Sequence, residues 1–356
     1  MQSELNGCTR AAIAGLGLSE LEKLLQEHSD IEPFRAKQIY GWIAKGASCF
    51  REMKNIPKAL QNILTKDFNF FSCDVQTANT GGNAQKIVLK LNDGCKIESV
   101  LLEDGKNRMT ACLSTQAGCP AGCVFCKTGS VKFARNLDYT EIVEQYLHLR
   151  QRAGKSEINT KHIIDNIVVM GMGEPLLNLC NLRKAVSVFN DPKGLNFSLR
   201  RITVSTCGIA EGLFDIARNG PFFRLALSLP TADESLRNKL MPVTIKNPLS
   251  KIKEALAMYQ QKGGGRVTLE VVLLGGVNTH GKDALSIAKF AEGLNAVVNL
   301  IPWNPIDDFK FEGKLLTRPE KKEIENFTAM LEKNSVKVTT RLHKGRSVMG
   351  ACGQLG

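Results

Sequence analysis

The chain has 356 residues, of which 43% are hydrophobic and 23% are charged. This length and composition are typical of globular proteins and exclude disordered, collagen-like and mini-protein classes. The longest apolar runs, such as residues 271–277, are much shorter than the roughly 20 residues that cross a membrane. The first residues also lack a basic-then-apolar signal pattern. We therefore expect a cytoplasmic protein with no membrane partner.

Basic residues outnumber acidic residues by 47 to 35, which gives a formal net charge of +12. Such an excess favours a polyanionic partner such as nucleic acid, although a basic enzyme without such a partner is an alternative. Residues 1–78 contain nine basic and nine acidic residues, so the whole excess lies in the rest of the chain. A surface that faces RNA is therefore expected in the later part of the chain.

Residues 1–78 are predicted to form a small helical domain, and residues 79–356 a larger one. Ser19 and Glu22 have capping-box spacing ahead of an apolar stripe, which predicts the start of a helix. A second helix is predicted over residues 33–44, with proline at its first position.

The second predicted helix carries aromatic and basic side chains that could contact RNA, namely Phe34, Arg35, Lys37 and Trp42. Phe34, Ile39 and Trp42 are expected in the core instead, because large apolar side chains are usually buried.

A β-hairpin is predicted after the helical domain. Residues 86–91 and 95–102 form its strands, and Asn92, Asp93 and Gly94 form the turn, because Asp-Gly supplies the positive φ angles of a tight turn.

Beyond residue 110, short apolar strands alternate with amphipathic helices. The clearest helix is predicted over residues 138–152, with Asp138 and Glu141 at its cap. The strands are predicted near residues 109–114, 166–170, 201–205, 223–228, 267–273, 296–301 and 336–340. Repeated strand–helix units predict an α/β fold, here a partial (β/α)6 barrel, with its active site at the carboxyl ends of the strands.

Eleven cysteines are many for a cytoplasmic protein, where metal binding or redox chemistry is more common than structural disulfides. Cys119, Cys123 and Cys126 form C-x-x-x-C-x-x-C, and Gly118 and Gly122 allow the loop to bend around them. Three thiolates this close can ligate three irons of a 4Fe-4S cluster, which leaves the fourth iron open to a substrate or cofactor. A structural zinc site is the alternative, but it needs a fourth ligand, and no histidine or second C-x-x-C is nearby.

At these residues the sequence resembles the radical S-adenosylmethionine superfamily, and more narrowly the RlmN and Cfr family of RNA adenine methyltransferases. The resemblance covers most of the chain. The segments that carry it are FRAKQ at 34–38, CLSTQAGC at 112–119, GMGEP at 171–175, IPWNP at 301–305 and ACGQL at 351–355. It implies a radical SAM barrel with a helical N-terminal domain and a β-hairpin extension, a 4Fe-4S cluster, and two molecules of S-adenosylmethionine per turnover.

The resemblance also implies three catalytic residues. Cys352 would receive a methyl group from one S-adenosylmethionine, and a second would be cleaved to a radical that activates this methyl group for addition to adenine. Cys112 would then attack the sulfur of Cys352 and release the product with formation of a disulfide. The implied proton acceptor is Glu98, although this chain has one more residue between Glu98 and Cys112 than the family pattern. The alternatives are a solvated strand carboxylate for Glu98 and a thiol in a frayed tail for Cys352.

The tail itself, residues 333–356, contains five basic residues and no acidic one. This composition suits a segment that lies against RNA phosphates, and a solvated basic tail is the alternative.

The cofactor contacts implied by the resemblance lie at or just after predicted strand ends: Gly173, Glu174, Ser205, Ser228, Leu229, Pro230 and Asn304. At one of them the chain departs from the family, which usually has histidine where this chain has Pro230. Proline offers neither a side-chain hydrogen bond nor an N–H, so a polar contact there must use the carbonyl group or be absent.

The glycine-rich and tryptophan-containing segments resemble the branch that methylates carbon 2 of adenine more than the branch that methylates carbon 8. The implied partners are 23S rRNA at the peptidyl-transferase centre, tRNA beside the anticodon, and an electron donor such as flavodoxin. The alternatives are carbon-8 methylation, a radical enzyme acting on a small molecule or peptide, and a non-enzymatic RNA-binding protein with a structural iron–sulfur or zinc site.

Overall fold

A computed structural model of the chain describes residues 10–28, 31–106, 108–153, 164–340 and 345–356. Its helices are α1 (Leu18–Gln26), α2 (Arg35–Lys45), α3 (Lys58–Asp67), α4 (Lys127–Ser130), α5 (Tyr139–Ala153), α6 (Leu179–Asn190), α7 (Ala210–Asn219), α8 (Glu234–Leu240), α9 (Leu249–Gln261), α10 (Gly281–Ala291) and α11 (Lys321–Lys333). Its strands are β1 (Asp74–Gly81), β2 (Ala84–Lys90), β3 (Lys96–Glu103), β4 (Met109–Cys112), β5 (Gln116–Ala117), β6 (Arg135–Asn136), β7 (Asn166–Val169), β8 (Ile202–Thr206), β9 (Arg224–Ser228), β10 (Val267–Leu273), β11 (Ala296–Pro302), β12 (Lys310–Phe311), β13 (Lys314–Leu315) and β14 (Val338–Thr340). Within these ranges, no helix is both long enough and apolar enough to cross a membrane.

The main sheet has ten strands in the order β1-β2-β3-β4-β7-β8-β9-β10-β11-β14. The seven strands from β4 to β14 are parallel, and each connection between them contains at least one helix. This is the predicted α/β fold with six strand–helix units, and the parallel arrangement brings the carboxyl ends of all seven strands to one edge.

β1, β2 and β3 extend this sheet in antiparallel fashion beyond β4. The turn between β2 and β3 is the predicted one: Gly94 has a φ of +84°, and the Cys95 amide donates a hydrogen bond to Asp93 Oδ1 at 2.9 Å. β1 was not predicted from the sequence, and the domain boundary proposed after residue 78 falls within it. Its side chains are mostly exposed, so its sequence lacks the apolar alternation that marks a strand.

α1 begins two residues earlier than the capping-box spacing predicted, so that prediction is wrong. Gly17 occupies the cap position and makes no side-chain cap, and Ser19 lies inside the helix. The buried stripe of α1 starts at Leu18 and continues at Leu21 and Leu25. Burying Leu18 therefore requires the helix to start before Ser19.

The predicted core positions of the second helix are only partly confirmed. Ile39 is fully buried and Trp42 is half-buried, but Phe34 is 49% exposed, so its assignment to the core is wrong. α2 buries the face that carries Ala36, Ile39, Tyr40 and Ile43, whereas Phe34 lies just before the helix, off that stripe.

α5 begins as predicted, because the Asp138 amide donates to the Glu141 carboxylate at 2.9 Å and Asp138 Oδ1 accepts from the Thr140 amide at 3.0 Å. Farther along α5, two buried side chains hold the segment that leads from the helical part into β1. The Glu144 carboxylate accepts hydrogen bonds from the amides of Ser72 and Cys73 at 2.8 and 3.1 Å.

His148 Nε2 lies 3.2 Å from the carbonyl oxygen of Cys73. Burial raises the pKa of Glu144 to about 7 and lowers the pKa of His148 to about 4. The joint between the helical part and the barrel is therefore a buried polar contact with two titratable groups.

Candidate active site

One cavity opens at the carboxyl ends of the parallel strands and collects most of the predicted site residues. Its lining includes the three clustered cysteines, the residues predicted at four strand ends, and the tail cysteine: Cys119, Cys123, Cys126, Gly173, Ser205, Ser228, Asn304 and Cys352. These residues come from segments that are far apart in the sequence, and the parallel sheet brings them together. The geometry that the sequence predicted for this edge is therefore present.

The cysteine loop is held in a fixed shape by backbone contacts. Gly118 has a φ of +76°, and a side chain there would overlap the Lys132 carbonyl group. Trp303 Nε1 donates a hydrogen bond to the carbonyl oxygen of Phe125 at 2.9 Å. The loop thus presents its three thiols toward the cavity.

The three thiols fit the ligand set of a 4Fe-4S cluster. Cys119, Cys123 and Cys126 all line the cavity, so they could hold three irons and leave the fourth iron open toward the cavity. Burial raises the pKa of Cys119 to about 12 and also raises the pKa values of Cys123 and Cys126. The thiolate forms therefore need a nearby cation, which the irons of a 4Fe-4S cluster would provide.

The turn after β7 has a shape that only glycine allows. Gly173 has a φ of +102°, and an added Cβ would lie 2.6 Å from Gln116 Cβ. The Glu174 carboxylate points into the protein, where it accepts hydrogen bonds from the Cys207 amide and the Thr206 hydroxyl, each at 2.7 Å. Burial raises the pKa of Glu174. Glu174 therefore positions the turn, while Gly173 lines the cavity.

Leu229 and Pro230 lie beside the cavity, and neither is among its lining residues in the described part of the chain. The Leu229 amide donates to the carbonyl oxygen of Glu270 at 2.8 Å. The Pro230 carbonyl accepts a hydrogen bond from Asn278 Nδ2 at 2.6 Å. The group through which proline could make a polar contact is thus engaged by the protein, and Ser228 is the residue of this segment that reaches the cavity.

The tail that carries Cys352 is docked across the cysteine loop. The Lys127 amide donates to the carbonyl of Gly353 at 2.8 Å, and Asn304 Nδ2 donates to the carbonyl of Cys352 at 3.1 Å. Gln354 Nε2 donates to the carbonyl of Pro305 at 3.2 Å. A frayed tail is therefore excluded, and Cys352 is an exposed residue that lines the cavity.

Glu98 is not a solvated carboxylate. Its side chain is 13% exposed and forms an ion pair with Lys86 Nζ at 3.0 Å. Its other carboxylate oxygen accepts a hydrogen bond from the Gly356 amide at 3.1 Å, which anchors the tail. Glu98 is thus part of the same assembly as the Cys352 segment.

Cys112 is buried at the carboxyl end of β4 and shares a face of the sheet with Glu98. It is the register partner of Val100, which lies two residues from Glu98 on β3. An added Cβ at Gly350 of the tail would lie 3.2 Å from Val100, so the tail covers this face. The described cysteines form no disulfide, so the disulfide implied by the resemblance is not supported by this structure, in which Cys112 is buried and Cys352 exposed.

Arg237 is a site residue that the sequence did not indicate. It is fully buried, and its guanidinium donates to the carbonyls of Cys207 and Ser228 at 2.6 and 3.1 Å. Burial lowers the pKa of Arg237 to about 10, and its positive charge acts to lower the pKa of Cys123. No motif marks this arginine, because its role depends on α8 folding back beneath the cysteine loop.

Comparisons with known proteins agree with this geometry. Residues 113–288 match the family model described as the radical SAM superfamily. Residues 12–69 match the model of the ribosomal RNA large subunit methyltransferase N-terminal domain.

Two similar curated proteins are both named probable dual-specificity RNA methyltransferase RlmN. The protein from Treponema denticola is 46% identical over 91% of this chain and 90% of its own length. A protein from Thermus thermophilus is 41% identical over 96% of this chain and 94% of its own length.

The fold is also similar to the crystal structure of a radical SAM methyltransferase from Sphaerobacter thermophilus. The two share 33% sequence identity and a TM-score of 0.90, over 97% of this chain and 99% of that one. The cysteine cavity, the two family models and these near full-length relatives lead to the same conclusion: the chain belongs to the RlmN family of radical S-adenosylmethionine enzymes.

Proposed function

We propose that this enzyme methylates carbon 2 of adenosine in 23S rRNA at the peptidyl-transferase centre and in tRNA beside the anticodon. The observation that carries the proposal is the convergence of the three clustered cysteines and Cys352 on one cavity. A radical enzyme for a small molecule has no evident use for a docked tail cysteine at this position. The relatives are named dual-specificity RNA methyltransferases, which supports RNA as the class of substrate.

Cys119, Cys123 and Cys126 would hold a 4Fe-4S cluster, and Gly173, Ser205, Ser228 and Asn304 would surround S-adenosylmethionine. When bound, this pair would supply one-electron cleavage of the sulfonium, which makes a C–H bond of a methyl group reactive. The residues of the chain position the partners and exclude water, because the cavity is lined largely by apolar and backbone groups. The resemblance implies that two molecules of S-adenosylmethionine would be used in each turnover, and Cys352 would accept the methyl group of one of them.

Cys352 is proposed to carry the methyl group to the base. Hydrogen bonds hold its carbonyl group and the two residues that follow it, Gly353 and Gln354, so the sulfur has a defined position at the cavity. Glu98 is proposed to accept the proton that the adenine carbon loses. Its ion pair with Lys86 and its contact with the Gly356 amide orient the carboxylate beside the tail.

Cys112 is proposed to release the product. Its thiolate would attack the sulfur of Cys352 and form a sulfur–sulfur bond, while the bond from that sulfur to the methylene carbon breaks. The carbon would keep the bonding electron pair and take up a proton to become the methyl group of the product, and an external thiol reductant would then reduce the disulfide. The tail covers the face of the sheet that carries Cys112, because Gly350 lies against Val100, the register partner of Cys112. This proximity supports the proposed step.

The remaining partners follow from these roles. The basic excess of the larger part of the chain suits RNA phosphates, and an external donor such as flavodoxin would supply the electron. A cytoplasmic location is proposed because the RNA substrates are found there.

The proposal is tested by two mass-spectrometric measurements. The first is the mass of the peptide that contains Cys352, which we expect to carry one methyl group in active protein. The second is the 2-methyladenosine content of rRNA and tRNA from cells that carry or lack the gene. Unmethylated Cys352 in active protein, or unchanged 2-methyladenosine in both RNAs, would refute the proposal.

The role of Cys112 has a separate test. A Cys112→Ala variant should accumulate protein that is covalently bound to RNA, whereas Cys180→Ala should not. Cys180 is a matched control because it is an exposed cysteine on α6 that does not line the cavity. A Cys112→Ala variant that turns over normally would remove this assignment.

A further inference from the structure

A second cavity of about 830 Å³ lies inside the barrel, at the amino ends of the strands and opposite the cysteine site. We call it the lower cavity. The rim of this cavity is formed by residues at the amino ends of β8, β9, β10 and β14. Arg224 is the first residue of β9, Arg266 and Lys337 directly precede β10 and β14, and Arg200 lies two residues before β8. Since β10 is seven residues long, this rim lies about 20 Å from the carboxyl edge, at about 3.3 Å per residue.

The wall of this lower cavity is polar, which is unusual for a barrel interior. Such interiors are generally filled by bulky branched side chains. Here the inward side chains of the lower half include Thr203, Thr268, Glu270, Asn299 and Thr339. These residues are too small or too polar to fill the space, and the cavity is the result.

Three of the wall residues form one hydrogen-bonded row across adjacent strands. Asn299 Nδ2 donates to Glu270 Oε2 at 2.6 Å, and Thr339 Oγ1 donates to Asn299 Oδ1 at 3.1 Å. Asn299 is the register partner of both Glu270 and Thr339, so the row crosses three strands at one level. It fixes a set of oriented donors and acceptors above the basic rim.

The charge of the lower cavity favours an anion. Its lining includes four basic side chains, all of them exposed, against the single carboxylate of Glu270. In the described part of the chain, no carboxylate forms an ion pair with Arg200, Arg224, Arg266 or Lys337. Arginine recognises phosphate oxygens through paired N–H groups, and its charge is retained at any physiological pH.

The size and polarity of the lower cavity further restrict the class of ligand that it could bind. A volume of about 830 Å³ lies in the range of roughly 300–1,000 Å³ for small-molecule sites. Phe222, which is half-buried at the rim, offers an aromatic surface, and the polar row offers partners for hydroxyl and amide groups. A phosphate on the rim with a ribose and base above it satisfies all three features.

We propose that this lower cavity is a second binding site, for a nucleoside 5′-phosphate, with the phosphate on Arg224, Arg266 and Lys337. The ligand is either a free nucleotide or the terminal nucleotide of an RNA, since both present the same group. The site is distinct from the cysteine cavity, although Met170 and Glu270 line both. The inference does not depend on the reaction proposed above.

The test is equilibrium binding of 5′-AMP to the full chain, with excess S-adenosylhomocysteine present to block the cofactor cavity. We expect saturable binding that adenosine, which lacks the phosphate, does not compete for. The Arg224→Gln/Arg266→Gln variant should weaken binding by at least about tenfold, because it removes two charged donors to the phosphate. Arg218→Gln should leave it unchanged, since Arg218 is an exposed arginine on α7 that does not line the lower cavity.

If the double variant does not fold, the single change Lys337→Gln serves as a milder test and should weaken binding, whereas the charge-retaining Arg266→Lys should keep most of it. The proposal is overturned if the wild-type chain shows no saturable binding at millimolar 5′-AMP, if adenosine competes equally, or if the folded double variant or Lys337→Gln binds as well as wild type. Competition by an RNA oligonucleotide with a 5′-phosphate, and not by its 5′-hydroxyl form, would support the site and identify RNA ends as the ligand. Retained 5′-AMP binding without such competition would support the site and identify a free nucleotide.

Discussion

The buried pair on α5 makes an unusual prediction about stability and pH. Unfolded Glu144 would lose its proton near pH 4.5, but the folded group keeps it to about pH 7. Its contribution is therefore fully present below pH 4.5 and is lost as pH rises to about 7. The difference between the folded and unfolded pKa values of Glu144 corresponds to about 3 kcal/mol in the free energy of unfolding.

His148 has the opposite sign. Unfolded histidine binds a proton below about pH 6.5, but the folded group does so only below about pH 4. Its contribution is therefore present above pH 6.5 and is lost as pH falls to about 4, again about 3 kcal/mol. As pH rises from 4.5 to 6.5 in the wild-type protein, the Glu144 contribution falls while the His148 contribution rises. The two changes nearly offset each other, so the pair adds little pH dependence to the free energy of unfolding there.

Removing one group should reveal the other. For Glu144→Gln, the measured quantity is the free energy of unfolding of the variant minus that of wild type. This difference should rise by about 3 kcal/mol as pH increases from 4.5 to 7. A loss that does not depend on pH is added to it, because the hydrogen bonds to Ser72 and Cys73 are altered. In His148→Phe, the difference from wild type should fall by a similar amount as pH rises from about 4 to 6.5. Urea unfolding at a series of pH values measures both differences, and other titrating groups cancel in them. A pH-independent difference for Glu144→Gln would refute the reasoning.

Two further substitutions test how the site is held. Trp303→Phe removes the hydrogen bond to the Phe125 carbonyl and should lower the free energy of unfolding by about 1–3 kcal/mol. It should also lower the amount of iron bound after reconstitution, as measured by metal analysis. Full iron occupancy would contradict this role. Gly173→Ala should abolish S-adenosylmethionine binding measured by equilibrium dialysis, because its Cβ would meet Gln116 at 2.6 Å. Gly94→Ala is the control, since Gly94 also has a positive φ but has no atoms within 4 Å of an added Cβ, and equal losses in both variants would show that only backbone strain matters.

The parts of the fold that sequence could predict are those where one local pattern decides the outcome. The Asp-Gly turn at Gly94 and the cap at Asp138 are set by short-range chemistry, and both are present. The start of α1 was missed because burial of Leu18 outweighs the capping preference of Ser19. Phe34 was misplaced because its environment depends on which face of α2 meets the rest of the chain.

The site shows the same division. The spacing of the three cysteines and the positions of Ser205 and Ser228 at strand ends follow from the sequence, because parallel strands bring their carboxyl ends together. The anchoring of the tail by Glu98 could not be predicted, since it joins residues 258 positions apart through a backbone amide. Arg237 was missed for a similar reason: only the folded arrangement buries it beneath the cysteine loop.

The most direct test of the account is the iron and acid-labile sulfide content of protein reconstituted without oxygen. Three cysteine ligands around a 4Fe-4S cluster predict about four irons and four sulfides per chain. This content should be lost in Cys119→Ser and retained in Cys180→Ser, because Cys119 lines the cavity and Cys180 does not. Bound zinc without sulfide, or an intact cluster in Cys119→Ser, would contradict the account.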